Sequence, residues 1–408
     1  MMKNSFLRFF SWKRGNELTI RKHYNEFYIV VILYLQSFIG LFTLFLPNAF
    51  IYVLDKLIFI LLMFIVLTAN NFKFNRYFWF IISMISVFFM INALFYQNPI
   101  NLLGVYITFI SIFIPVLYLI NQDINYKSIF YFWEKISTLF TLLLPLYIYL
   151  VINSKISYFD VALLTNINVA GIAFNLVLVN RNKKFWSFLF LFANLFVGFI
   201  FGSRSIFVAT VFILIFIYLI FYKDKNFKFY LQIFCWGVLL ILIAINLIPL
   251  LLSLQNFLFD HNISSRNLNL FIQQLTAQNR ELYLSGRDDI YPVVLNYLSK
   301  SSGFPSGLGV ARVLTGGVYY HAHNFFLELL LTFGVIIGSI FSLVYIYIII
   351  FLSLKSRKTY RDAFIIILLV SFTVRSFFAA YFLQDTMFIL GFSMLMKNLF
   401  SKKGTQNL

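Results

Sequence analysis

The sequence predicts an all-α polytopic membrane protein, with about twelve transmembrane helices and one long external loop that contains short helices. Three observations carry that reading. The 408-residue chain is 61% hydrophobic and 11% charged, whereas a soluble domain is typically ~25% charged and needs those charges to cover its surface. Apolar runs of membrane-spanning length recur along the chain, and each reads as a helix crossing the bilayer. Lys and Arg gather in alternate connecting segments, the pattern of a chain with fixed sidedness.

Taken in order, spans are expected at 27–46, 50–69, 78–95, 102–121, 137–153, 160–180, 185–203, 205–222, 230–252, 325–354, 363–383 and 385–399. A basic tail with Lys3, Arg8, Lys13, Arg14, Arg21 and Lys22 precedes the first of them. That first run ends at Pro47-Asn48 instead of a small-residue cleavage pattern, so no cleavable signal peptide is expected. Basic residues then return in the segments at 70–77, 122–136, 181–184, 223–229 and 355–361 and in the C-terminal tail. The short connections on the other side carry only Lys56 and Lys155. Basic residues collect on the cytoplasmic side, which puts both termini in the cytoplasm. The net charge of +18 is thereby a topology signal, not a nucleic-acid footprint. Cys235 is the lone cysteine and lies in an apolar run, so no disulfide framework exists. The 55 Phe and 25 Tyr read as lipid-facing and packing residues. The organisation is then 1–252, about nine spans; 253–324, the external loop; and 325–408, about three spans and a tail.

The loop at 253–324 holds five of the basic residues that the sidedness rule leaves over: Arg266, Arg280, Arg287, Lys300 and Arg312. Its first part, SSRNLNLFIQQLTAQNRELYL, spaces Leu268, Phe271, Ile272 and Leu275 as on one helical face, predicting an amphipathic helix on the membrane or over a cavity. SGRDDIYPVVLNYLSK follows, with Asp288 or Asp289 as candidate N-cap, Pro292 in the first turn, and Arg287 just ahead of an anion-attracting helix start. The glycine-rich SSGFPSGLGVARVLTGG comes next. It is not a dinucleotide fingerprint, because Arg312 stands where the third glycine belongs and no strand–helix unit surrounds it. HAHN, residues 321–324, closes the loop.

Two more cations stand where a membrane protein rarely keeps them. Arg204, in FGSRSIF, and Arg375, in SFTVRSFF, lie inside or at the outer ends of spans. Placing a charge in a span costs ~3 kcal/mol even on a lenient scale, so such a residue faces a cavity or partner, or snorkels to the interface. Asn166 and Asn168, in TNINVAG, fit interhelical hydrogen bonding as well as a site. His321 and His323 fit an interfacial structural role or acid–base work. Zinc needs three or four ligands; His-x-His supplies two, and His261 is distant in sequence. One candidate base and several fixed cations beside a membrane suit a lipid phosphate. A purely structural scaffold leaves Arg204 unexplained, and a flippase or other transporter needs no long outer loop.

The ordered set resembles the O-antigen polymerase and O-antigen ligase superfamily of bacterial membrane proteins. The residues that carry the likeness are GSRS at Arg204, Gly286-Arg287 with an aromatic at Tyr291, Gly307 and Gly309, and then His323, Asn324, Leu327, Glu328, Gly334 and Gly338. TNINVAG resembles the family's Asn-containing span, and Tyr291 replaces the family's frequent Trp. The likeness runs over roughly 160–340. It implies a metal-independent, cofactor-free glycosyltransferase of the bacterial inner membrane, with its site facing the periplasm. The donor would be a glycan on undecaprenyl pyrophosphate. His323 would be the general base, Arg204 and Arg287 would clamp the pyrophosphate, and Arg312, Arg375, Asn324, His321 and Asn168 would line the substrate. Asp288, Asp289 and Glu328 are rival bases. A polymerase using a lipid-linked repeat unit as acceptor is the first reading, and a ligase acting on lipid A-core the second. Membrane lipids, and a chain-length regulator protein for a polymerase, are the implied partners; nucleic acid is not.

Overall fold

The computed structural model describes residues 23–46, 48–96, 99–178, 184–221, 245–261, 263, 265–276, 287–301, 303–354, 359–377 and 381–400. Within them the protein is all-helical, with no strand. The helices are α1 Tyr24–Gly40, α2 Asn48–Ala69, α3 Arg76–Phe95, α4 Pro99–Ile120, α5 Tyr126–Leu142, α6 Leu144–Ile152, α7 Tyr158–Leu178, α8 Lys184–Phe201 and α9 Arg204–Phe221. They continue as α10 Leu247–Asp260, α11 Arg266–Thr276, α12 Arg287–Lys300, α13 Val310–Leu314, α14 Phe325–Leu354, α15 Tyr360–Ser376 and α16 Thr386–Phe400. Five described helical segments are long and apolar enough to cross a membrane: Tyr24–Leu44, Arg76–Phe95, Leu102–Ile120, Tyr158–Val177 and Phe325–Leu354. The pair α5 and α6, bent by 50° at Leu143, makes a sixth if it is counted as one span. The bend has a cause in Pro145, which stands in the first turn of α6 and has no N–H to continue the α5 ladder. Most of the span expected at 230–252 lies outside the described residues, as do Arg280 and Gly286.

The chain divides into two compact units, Met1–Ile136 with Asp289–Leu408, and Ser137–Asp288. In the second unit α7 packs against both α8 and α9, and α11 packs on α8 and α10. Polar side chains tie its apolar helices together. Asn168 Nδ2 donates to Asn194 Oδ1 at 2.8 Å, Asn194 Nδ2 to Thr141 Oγ1 at 2.7 Å, and Asn166 Nδ2 to Thr210 Oγ1 at 2.9 Å. Inside a membrane protein such bonds hold register because no water competes for the amides. The expected amphipathic helix is α11. Its Leu268 and Ile272 are buried in a cluster with Ile200, Leu251 and Leu258, and Ser265 Oγ donates to the Ile200 carbonyl at 2.5 Å. Leu275, expected on the same face, is exposed.

In the first unit α4 packs on α1, α2, α3 and α16, and α15 lies between α14 and α16. An aromatic cluster of Phe325, Phe372, Phe382 and Phe388 seats the start of α14. The expected single span at 325–354 is broken inside. Gly334 has φ 79° and ψ 165°, a conformation essentially closed to L side chains. At Gly338 a Cβ would lie 2.5 Å from the Leu329 carbonyl oxygen, so the two arms of α14 press together backbone to backbone. The longer arm, residues 335–354, rises about 30 Å at ~1.5 Å per residue, enough to cross the hydrocarbon by itself.

A break strands helix carbonyls and amides, and the glycine-rich segment before α13 satisfies them. Ser306 N–H donates to Leu331 O at 3.0 Å and Gly307 N–H to Thr332 O at 3.2 Å. Val335 N–H donates to Gly303 O at 2.9 Å. Leu308 N–H reaches back to Asn92 Oδ1 of α3 at 2.8 Å. The segment 303–308 is thus a strap seated in the break, which accounts for its glycines without any bound nucleotide.

Candidate active site

The first unit builds its polar cluster on a core of Ile290, Val294, Leu298, Ala311, Ala322 and Leu331, contributed by α12, α13, the turn before α14, and α14 itself. The fully buried Ala322 is the key to the His-x-His spacing. With residue 322 driven inward, His321 and His323 on either side of it are left partly exposed. Their ring centroids are 4.4 Å apart. His321 stacks on Tyr381 at 5.3 Å, and Tyr319 meets His323 edge-on at 5.6 Å.

His323 has φ 52°. Left-handed backbone at a non-glycine residue costs about 1–3 kcal/mol and persists only where neighbours over-determine it. Here Tyr291 Oη donates to the His323 carbonyl at 3.4 Å on one side. On the other, Asn324 caps α14, its Oδ1 accepting from Phe326 N–H at 2.9 Å and Leu327 N–H at 3.2 Å. Ala322 N–H donates to Glu328 Oε2 at 2.8 Å. Arg312, in the last turn of α13, holds its guanidinium carbon 4.3 Å from the ring centre of the exposed Tyr320.

Helix α12 corrects the expected capping. It starts at Arg287, ahead of both aspartates, and Pro292 lies inside it instead of in the first turn. Asp289 is exposed and accepts from Tyr319 Oη at 3.3 Å, so it is not the N-cap. Burial and then the Asp289 carboxylate raise the Tyr319 phenol above its ordinary value, which leaves this hydroxyl a donor at neutral pH. Arg287 is half-buried at the start of α12. Arg204 opens α9, and its side chain lies outside the described part.

Arg375 is 2% exposed and neutralised within the fold. Its Nη2 lies 2.9 Å from Asp385 Oδ2 and 3.0 Å from Oδ1, and its Nε donates to Ser371 O at 3.3 Å. Asp385 Oδ1 also accepts from Phe388 N–H, so the pair fastens the end of α15 to the start of α16. Asn168 is fully buried in the interhelical network, and its amide is used there.

Of the residues singled out from sequence, the first unit brings together His321, His323 and Asn324, and it sets Arg312 over Tyr320, the neighbour of His321 in the chain. Sequence reasoning missed Tyr319, Tyr320 and Tyr381. The first two were legible as aromatics directly before the histidines; Tyr381 carried no local signal. Among the described residues no group of three or more His, Cys, Asp or Glu side chains is placed to hold a metal ion.

Residues 189–342 match a family model described as O-antigen ligase. That stretch contains Arg204, Arg287, Arg312, the histidine turn and both glycines of the α14 break. The match supports the resemblance to the O-antigen polymerase and ligase superfamily that the motif order carries. Comparison with curated proteins found no match, and neither did comparison with solved structures.

Proposed function

We propose that this protein is a membrane glycosyltransferase that transfers a glycan from a lipid pyrophosphate to a sugar hydroxyl, without a metal, on the outer face of a bacterial inner membrane. The observation that carries the reading is the histidine turn at the head of α14, inside the stretch matched by the O-antigen ligase family. His323 is the base in this account. Its imidazole takes the proton of the acceptor hydroxyl, the hydroxyl oxygen attacks the anomeric carbon, and the bond to pyrophosphate breaks with the electron pair leaving on the lipid phosphate. Arg204 and Arg287 grip that pyrophosphate and offset the charge it gains, with Arg312, over Tyr320, as a further cation. Asn324 serves through its cap, and Arg375 and Asn168 serve through the fold.

Sidedness follows from the basic residues. Twelve spans, cytoplasmic termini and an external 253–324 segment put the histidine turn on the outer side, where an undecaprenyl-pyrophosphate donor would be presented. A polymerase takes a second lipid-linked repeat unit as acceptor, working with a chain-length regulator. The ligase reading, transfer to lipid A-core, is supported equally by the family match. The test is transfer in vitro by the purified protein, with lipid-linked repeat units as donor and each acceptor offered separately. Product with repeat units alone means a polymerase, and product with lipid A-core a ligase. No product with either, alongside donor movement across vesicles, would replace both with a transporter.

A further inference from the structure

We infer that Glu328 is a positioning residue for the histidine turn: it holds His321 and His323 in place by anchoring the Ala322 amide between them. The inference rests on the proposed role of His323. Glu328 is 2% exposed, one turn into α14, and its Oε2 accepts from Ala322 N–H at 2.8 Å. The bond closes a short loop whose other side is the Asn324 cap, and Glu328 N–H itself donates to the Asn324 carbonyl at 2.9 Å. Between the two anchors lies His323, in left-handed backbone that needs restraint on both sides. Ala322 is completely buried, so no water can replace the carboxylate as its acceptor.

The other carboxylate oxygen marks Glu328 as more than packing. Among the described residues, its Oε1 is buried without a hydrogen-bond partner. A buried carboxyl group with an unsatisfied oxygen is a costly way to fill space beside Leu329 and Phe325, and an apolar side chain of that size fills it better. What the apolar side chain lacks is an acceptor at the Ala322 amide. The carboxylate thus gives up stability to fix the rings beyond it.

Glutamine keeps a carbonyl oxygen at the same reach, aspartate falls one methylene short, and alanine removes the acceptor. In the transfer assay Glu328→Ala and Glu328→Asp should lower kcat about 10- to 100-fold, the scale of one charge-assisted hydrogen bond. KM for the lipid-linked donor should stay within about twofold, because the lost contact positions the base and not the donor. Glu328→Gln should stay within about threefold of wild type in kcat, since the acceptor survives. Wild-type kcat in Glu328→Ala, or a loss in Glu328→Gln as deep as in Glu328→Ala, overturns the inference. So does a Glu328→Ala protein that is merely less abundant while each folded molecule turns over normally. His323→Ala in the same assay separates the two readings: full activity there removes the site itself, whereas an inactive His323→Ala beside a fully active Glu328→Ala removes only the role of Glu328.

Discussion

His323 joins two facts that are separate in the sequence: a titratable ring beside a span, and a backbone at φ 52°. The ring was legible, because two of only four histidines in the chain stand one residue apart. The strain was not, since no residue type demands left-handed backbone there and the restraint comes from Glu328, Asn324 and Tyr291. Arg375 shows the opposite case. Its charge in an apolar run drew attention, yet its partner Asp385 is ten residues away across a helix end and answers that charge inside the fold. The arginines proposed to hold pyrophosphate are tested by shape as well as charge. Arg287→Lys keeps the charge but loses the bidentate fork, so it should weaken donor binding nearly as much as Arg287→Ala, about 10- to 100-fold for ~1.5–3 kcal/mol per charge-assisted bond. Binding of a lipid-linked donor to purified variants measures this; unchanged binding in Arg287→Ala removes the residue from the grip.

At the scale of elements, hydropathy located helices among the described residues and missed their interruptions. Residues 325–354 are apolar throughout, and a glycine in such a run leaves the hydropathy unchanged, so Gly334 read as part of a continuous span. The break exists because the 303–308 strap supplies the donors and acceptor that the interrupted ladder needs, a long-range match with no local signature. The start of α12 was expected too late for a related reason: Asp289 is a good cap by type, but its carboxylate is engaged by Tyr319. The break predicts a sensitive point. In Gly334→Ala the added Cβ meets the Gly303 carbonyl oxygen at 2.5 Å and Pro305 N at 2.8 Å. Backbone strain adds about 1–3 kcal/mol. The thermal midpoint of the purified variant in detergent should fall by several degrees, on the order of ~2–4 °C per kcal/mol for a large domain. An unchanged midpoint would mean that α14 runs straight through Gly334.

For the whole molecule, the all-helical class was legible from composition and from runs of apolar residues, and the described residues hold five spans, or six with the bent pair. Sidedness rests on the basic residues, so it has its own test. Reporter fusions after Lys228 and after Ser285 should report opposite sides of the membrane; the same side for both would take the histidine turn away from an outer-leaflet donor. The central claim is that the chain alone carries out metal-independent glycan transfer with His323 as base. Its most direct test is transfer by purified protein from lipid-linked donor in EDTA, comparing wild type, His323→Ala and His321→Ala. Wild type should be active, His323→Ala should lose roughly 10²–10⁴-fold in rate while still binding donor, and His321→Ala should be much milder. Equal mild losses in the two variants, or a wild type silenced by EDTA, would contradict it.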